Sequence, residues 1–245
     1  MLTLSKNLYI DLDKHLPLET LPDIHQAIAD SYNLIKQNTW QRTTTLNGEM
    51  SNCNWQSKAS KATETSEFFA IEVKNKTVAP MWILDLTEDL NQNSTNLYDS
   101  IENSPEDWSN IRFRKDLPIS WDPFIDWIKN LDCFDRVGRT SLLLARPGIP
   151  TQYHRDIGVS EEDFTPYSHR QEFIWLKVTK EKTLFILDSH RNPIQVKSRS
   201  AFFNHHNWHG SHAALPFWSF SFKVEGIFSH SFRKTLGLDG IELYD

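Results

Sequence analysis

His154 and Asp156 stand two apart in Thr151-Gln152-Tyr153-His154-Arg155-Asp156, and His209 stands in Phe203-Asn204-His205-His206-Asn207-Trp208-His209-Gly210. Side chains two apart on an extended strand leave the same face, so His154 and Asp156 would project together. An imidazole from a later strand would complete two histidines and one carboxylate on one side of a metal. That donor set suits a non-haem ferrous ion and leaves positions open for a chelating cosubstrate and dioxygen. Taken alone, His-x-Asp reads equally as a half-buried histidine bonded to a neighbouring carboxylate. Its context favours the metal. The apolar run Leu142-Leu143-Leu144-Ala145 and the Pro147-Gly148 turn lead into it, which places it near a strand start facing an interior. The later histidine arrives after several more strands, as a barrel mouth requires.

His205, His206, His209 and His212 are clustered. If the strand Ala201–Asn204 continues, His205 and His206 point to opposite faces, so at most one turns inward. His209 is the chosen ligand and His212 the next candidate. The cluster also reads as a solvated loop, or as partners that orient a ligand.

The elements that would position these residues lie mostly after Arg139. Strands are predicted at 141–145, 152–156, 172–179, 183–187, 194–197, 201–205 and 218–224, with a turn at 188–193. Short strands at this spacing without intervening helices indicate a sandwich or barrel. Earlier, strands are predicted at 8–12, 68–73 and 81–86, and a helix over 21–38. A clearer helix is capped by Ser120 and repeats Trp121, Phe124, Ile125, Ile128 and Leu131 at helical spacing, with Pro123 in its first turn. The polar stretches 47–65 and 161–168 read as loops able to cover a mouth. No repeat or linker divides the chain. A single domain is expected over 1–245, with a mixed α/β part at 1–136 supporting a β core at 137–230.

The composition is that of a soluble globular protein, with 9 Trp and 15 Phe that need a large interior or an apolar pocket. A net charge of −6 argues against a broad nucleic-acid surface. No apolar run approaches a membrane span, and no signal-peptide core opens the chain. Two isolated thiols, Cys53 and Cys133, fit a reducing cytoplasm.

Residues from about Ser141 to Gly226 resemble the double-stranded β-helix core of the ferrous, 2-oxoglutarate-dependent oxygenases. Leu144 to Asp156 is similar to the strand–turn–ligand segment of the aspartyl/asparaginyl hydroxylase-like branch, and Phe203 to Gly210 is similar to the distal-histidine segment. Residues 1–110 carry no such likeness. The resemblance implies a mainly β fold with flanking helices and a jelly-roll, cupin-like core. It implies Fe(II) on His154, Asp156 and His209, with 2-oxoglutarate and O2 as cosubstrates. It also implies hydroxylation of an unactivated C–H in a small-molecule or peptidyl amino-acid substrate. A carboxylate at 156, where related halogenases carry a small residue, implies hydroxylation rather than halogenation.

The far carboxylate of 2-oxoglutarate needs a cation, ideally a forked guanidinium. The commonest family pattern places an arginine where this chain has Ser219. Arg170 ahead of the strand 172–179 is the first substitute, and Lys223, on the same face as Ser219 and Ser221, is the second. Ser221 can add a hydroxyl, and Tyr153 is a weaker candidate. Arg139, Arg146 and Arg155 near the expected mouth could meet a substrate carboxylate, although surface ion pairs would also use them. Two other readings remain open. One is a cupin-type metalloprotein without oxygenase activity (an isomerase or hydrolase). The other is a non-catalytic β-barrel whose Trp175, Trp208 and Trp218 line a ligand pocket.

Overall fold

The computed structural model describes residues 8–37, 81–89, 111–145, 147–148, 172–188, 192–204, 207, 209–211 and 215–238. The strands are β1 (Tyr9–Asp11), β2 (Lys36–Gln37), β3 (Met81–Asp85), β4 (Thr87–Asp89), β5 (Ile111–Phe113), β6 (Phe134–Ala145), β7 (Glu172–Lys177), β8 (Phe185–Leu187), β9 (Pro193–Gln195), β10 (Ser200–Phe203), β11 (His209–Gly210) and β12 (Ser219–Phe228). The helices are α1 (His25–Asp30), α2 (Asp122–Lys129) and α3 (His230–Thr235).

A seven-stranded sheet runs β1-β10-β7-β12-β6-β3-β2, and a three-stranded sheet runs β11-β8-β9. Both are antiparallel throughout. From β6 onward the chain passes between them: β6 and β7 in the larger, β8 and β9 in the smaller, β10 larger, β11 smaller, β12 larger. Strands wound alternately into two sheets in this way form a jelly roll, here a double-stranded β-helix with flanking helices. The fold class read from the sequence is the one observed.

β12 is the centre of the larger sheet, paired with β6 along one edge and β7 along the other. Its alternation separates two environments. Phe222 and Val224 are fully buried on the side covered by α2. There the Phe222 ring stacks on Phe124 at 4.0 Å and meets Trp121 edge-on at 6.1 Å. Phe124, Ile125, Trp127 and Ile128 form the buried stripe of α2, and Pro123 lies in its first turn, where a missing N–H costs nothing. The other row, Ser219, Ser221, Lys223 and Glu225, faces the barrel interior. In register beside it lie Leu143 and Ser141 on β6 and Lys177, Trp175 and Phe173 on β7.

Three local expectations are corrected. The helix expected over 21–38 has only 6 residues. Its end is held by Ser31, whose hydroxyl donates to the Ala27 carbonyl at 2.7 Å and accepts the Trp121 indole N–H at 2.6 Å. After a single 3-10 turn, Ile35 is extended and releases the chain into β2. Ser120 does not cap α2. Trp121 occupies that position without a side-chain bond, and the Ser120 hydroxyl donates to Asp30 at 2.7 Å, joining the two helix ends. The strand expected to begin at Ser141 begins at Phe134. The hairpin of β4 and β5, β11 as a strand and α3 were not foreseen. The strands predicted at 68–73 and 152–156 and the loops at 47–65 and 161–168 lie outside the described residues.

α3 is capped by Ser229, which accepts the Phe232 N–H at 3.3 Å, and it ends on Gly237 with φ 71. Its Arg233 forms a buried ion pair with Glu172, the first residue of β7. The second Glu172 oxygen accepts the Phe228 N–H at 2.6 Å, so one carboxylate fastens β7, β12 and α3 together. No helix among the described residues is long and apolar enough to cross a membrane.

Breaking this pair leaves a buried charge without its partner. Arg233→Met should lower unfolding stability in urea by about 3–5 kcal/mol, and adding Glu172→Gln should restore much of the loss. Lys182, between β7 and β8, is buried, and burial pushes its ammonium down to about 7. Between that value and the ordinary 10.5 the unfolded chain binds more protons, so wild-type stability should rise with pH there, by up to about 1.4 kcal/mol per unit. Lys182→Met should abolish that slope and be the more stable protein at pH about 7, with its advantage shrinking toward pH about 10. Paired urea titrations at the two pH values check this.

Candidate metal and carboxylate site

His209 opens β11, opposite Ile186 of β8, and is 6% exposed. Its Nδ1 lies 2.8 Å from the Asn207 carbonyl oxygen. A carbonyl can only accept, so Nδ1 carries a proton, and in the neutral form of the ring the lone pair is at Nε2. This is how a metal-binding imidazole is oriented and its tautomer fixed. The ring also meets Phe203 of β10 at 5.1 Å and 62°. Phe203 in turn meets Phe173 edge-on at 4.9 Å, and the Lys223 ammonium lies 4.9 Å over the Phe173 ring. Two phenyl rings therefore connect the histidine of the smaller sheet with the cation on β12 in one shared interior.

That interior is polar at its centre. Ser221 is fully buried and its hydroxyl has no hydrogen-bond partner among the described residues. Lys223 Nζ is 3.0 Å from Glu225 Oε1, with side-chain exposures of 21% and 6%. Leu143, on the inward row of β6, is half-buried. A buried hydroxyl in want of a partner, two positions from an ammonium, fits a carboxylate.

Arg139 does not stand at the mouth as expected. It is 3% exposed, and its Nε donates to Asp85 Oδ1 at 2.8 Å. Ser141 donates to the same oxygen at 2.7 Å. The guanidinium forms a buried ion pair between β6 and β3. Trp175 is buried at 5%, whereas Trp218 is 37% exposed. Burial pushes the Cys133 thiol up to about 12, which leaves it a poor nucleophile.

His154, Asp156 and Arg170 lie outside the described residues, as do Tyr153, Arg146, Arg155, His205, His206, Trp208 and His212. Among the described residues no group of His, Cys, Asp or Glu is arranged to hold a metal. The segments that carry the ligand candidates are nevertheless tied at their bases. Gly148, at φ 75, donates its N–H to the Leu215 carbonyl at 2.8 Å. Pro147-Gly148 precedes His154, and Leu215 follows His209. Glu225 and Asp85 were missed in the sequence. Period two from Ser221 and Lys223 would have put Glu225 in the inward row.

Fold and interior together define a double-stranded β-helix with one histidine oriented as metal ligands are and a polar row opposite it. No family model matches the chain, and no curated protein does. Solved structures show distant likenesses. A viral collagen prolyl hydroxylase from Paramecium Bursaria Chlorella virus-1, complexed with 2-oxoglutarate, is 13% identical at TM-score 0.31, over 47% of this chain and 76% of its own. A 2OG-Fe(II) oxygenase family oxidoreductase from Burkholderia pseudomallei is 7% identical at TM-score 0.36, over 70% and 89%. A Pseudomonas putida prolyl-4-hydroxylase is 9% identical at TM-score 0.32, over 84% and 98%.

The bond to Asn207 makes a spectroscopic prediction. In the metal-free protein, nitrogen-15 NMR of the neutral His209 ring should show the proton on Nδ1 and a pyridine-like Nε2. The reverse tautomer would remove the orientation described above.

Proposed function

We propose that the protein is a non-haem iron, 2-oxoglutarate-dependent dioxygenase that hydroxylates an unactivated C–H of an amino acid, peptidyl residue or related small metabolite. The observation that carries this reading is His209: a buried imidazole whose lone pair is set by a carbonyl, inside a double-stranded β-helix. In this reading His154, Asp156 and His209 hold Fe(II) on one face. The metal when bound supplies activation of O2, coupled to decarboxylation of 2-oxoglutarate to succinate.

The chain's own part is binding and exclusion. Arg170, or Lys223 with Ser221, receives the far carboxylate of 2-oxoglutarate. The ammonium supplies charge, and the Ser221 hydroxyl, which has no hydrogen-bond partner among the described residues, donates a hydrogen bond. The phenyl rings of Phe173 and Phe203 wall off the space between that cation and the histidine, which keeps the local dielectric low. The aspartyl/asparaginyl hydroxylase-like branch is supported by the segment Leu144 to Asp156. A cytoplasmic enzyme acting on small or peptidyl substrates, without nucleic acid or membrane partners, completes the proposal.

The test is succinate release from 2-oxoglutarate with Fe(II) and ascorbate under air. Wild type should turn over slowly even without a prime substrate, and His209→Ala or Asp156→Ala should fall to background. Ser221→Ala should raise the KM for 2-oxoglutarate roughly tenfold or more, as expected for a lost bond to a charged group, with little change in kcat. Metal uptake without any succinate would leave a cupin-type metalloprotein instead. No uptake of metal would leave a ligand-binding barrel.

A further inference from the structure

We propose that Glu225 is a positioning residue: it holds the Lys223 ammonium charged and in place to receive the cosubstrate carboxylate. This rests on the reading of Lys223 given above. Inward positions along β12 run Ser219, Ser221, Lys223, Glu225, starting from the end that pairs with Ala145 beside the Gly148–Leu215 bond. Successive inward positions are about 6.6 Å apart. An anion entering from that end meets Ser221 and Lys223 first, and Glu225 lies behind them. The Glu225 side chain is 6% exposed against 21% for Lys223. One carboxylate oxygen holds the ammonium at 3.0 Å, and the other has no hydrogen-bond partner among the described residues. The pair is anchored from the side by Phe173, under the ammonium.

The electrostatic reason is general. An ammonium in a poorly hydrated interior loses hydration and tends to release its proton, and a carboxylate within hydrogen-bond reach reverses that tendency. Among the described residues, the other charged or titratable groups around Lys223 do not supply this. Arg139 on β6 is cationic and is matched by Asp85 of β3. Lys177, on the inward row of β7, adds like charge. His209 on the smaller sheet is two phenyl rings away. Glu225 alone on β12 pairs the lysine. Placed behind rather than beside the anion site, it balances the lysine when the pocket is empty.

Two measurements test this on the full chain. Calorimetry on the anaerobic, Mn(II)-loaded protein compares 2-oxoglutarate with 2-oxobutyrate, which lacks the far carboxylate, across alkaline pH. Wild type should prefer the diacid by tenfold or more and keep that preference until Lys223 deprotonates. In Glu225→Gln the preference should collapse about one to three pH units lower, and in Glu225→Asp the limb should return toward wild type. Competitive acylation of the amines, read by peptide mass spectrometry without any cosubstrate, should show the same downward move of Lys223 in Glu225→Gln. An unmoved acylation profile and an unmoved limb overturn the role of Glu225. A shifted acylation profile in a protein that never prefers the diacid overturns instead the assignment of Lys223 to the cosubstrate, and the positioning role with it.

Discussion

The alternation of β12 between two hydrogen-bonded neighbours is the constraint on which the rest depends. Because β6 and β7 both pair with it, the strand can neither slip nor rotate without losing a ladder on each edge. One of its rows must then face α2 and the other the space between the sheets. Phe222 and Val224 satisfy the first requirement with aromatic and aliphatic packing against Phe124 and Trp121. That leaves Ser219, Ser221, Lys223 and Glu225 fixed inside. A one-residue shift would bury the lysine and glutamate under a helix and turn Phe222 into the pocket. Register here is thus also the chemistry of the site.

The interior accommodates charge by matching it locally. Arg139 answers Asp85 across neighbouring strands of the larger sheet, and Lys223 answers Glu225 along β12. Buried pairs of this kind add little net stability, since desolvation offsets most of the attraction. Their effect is on geometry and on the sign of the field a ligand meets. Glu172 and Arg233 do the same outside the barrel, where a single carboxylate joins a strand start, a strand end and a helix. The contrast with Lys182, buried with nothing at its ammonium among the described residues, shows what such pairing avoids.

Much of the barrel was legible in the sequence because its strands are short, apolar on one face and separated by turn residues. The larger errors fall where tertiary partners override local pattern. Ser31 ends α1 because its hydroxyl is engaged by Trp121, far along the chain. Ser120 looks like a cap and instead reaches Asp30. The first half of β6, Phe134 to Thr140, does not read as a strand because Arg139 is inward and charged, which hides the usual alternation. His209 was a candidate from its cluster, with His212 beside it, but the Asn207 carbonyl that sets its tautomer was not legible, since a backbone acceptor leaves no trace in residue types. Glu225 lies one inward step beyond Lys223, at a position that the period of two along β12 already marks.

The bond between Gly148 and Leu215 has a consequence for how cheaply a metal could be captured. His154 follows one end of that bond and His209 precedes the other by the same few residues. Under the proposed ligand set, the positions that lead to His154 and away from His209 are already joined by this bond, so the entropy of bringing those distant segments together is met by folding.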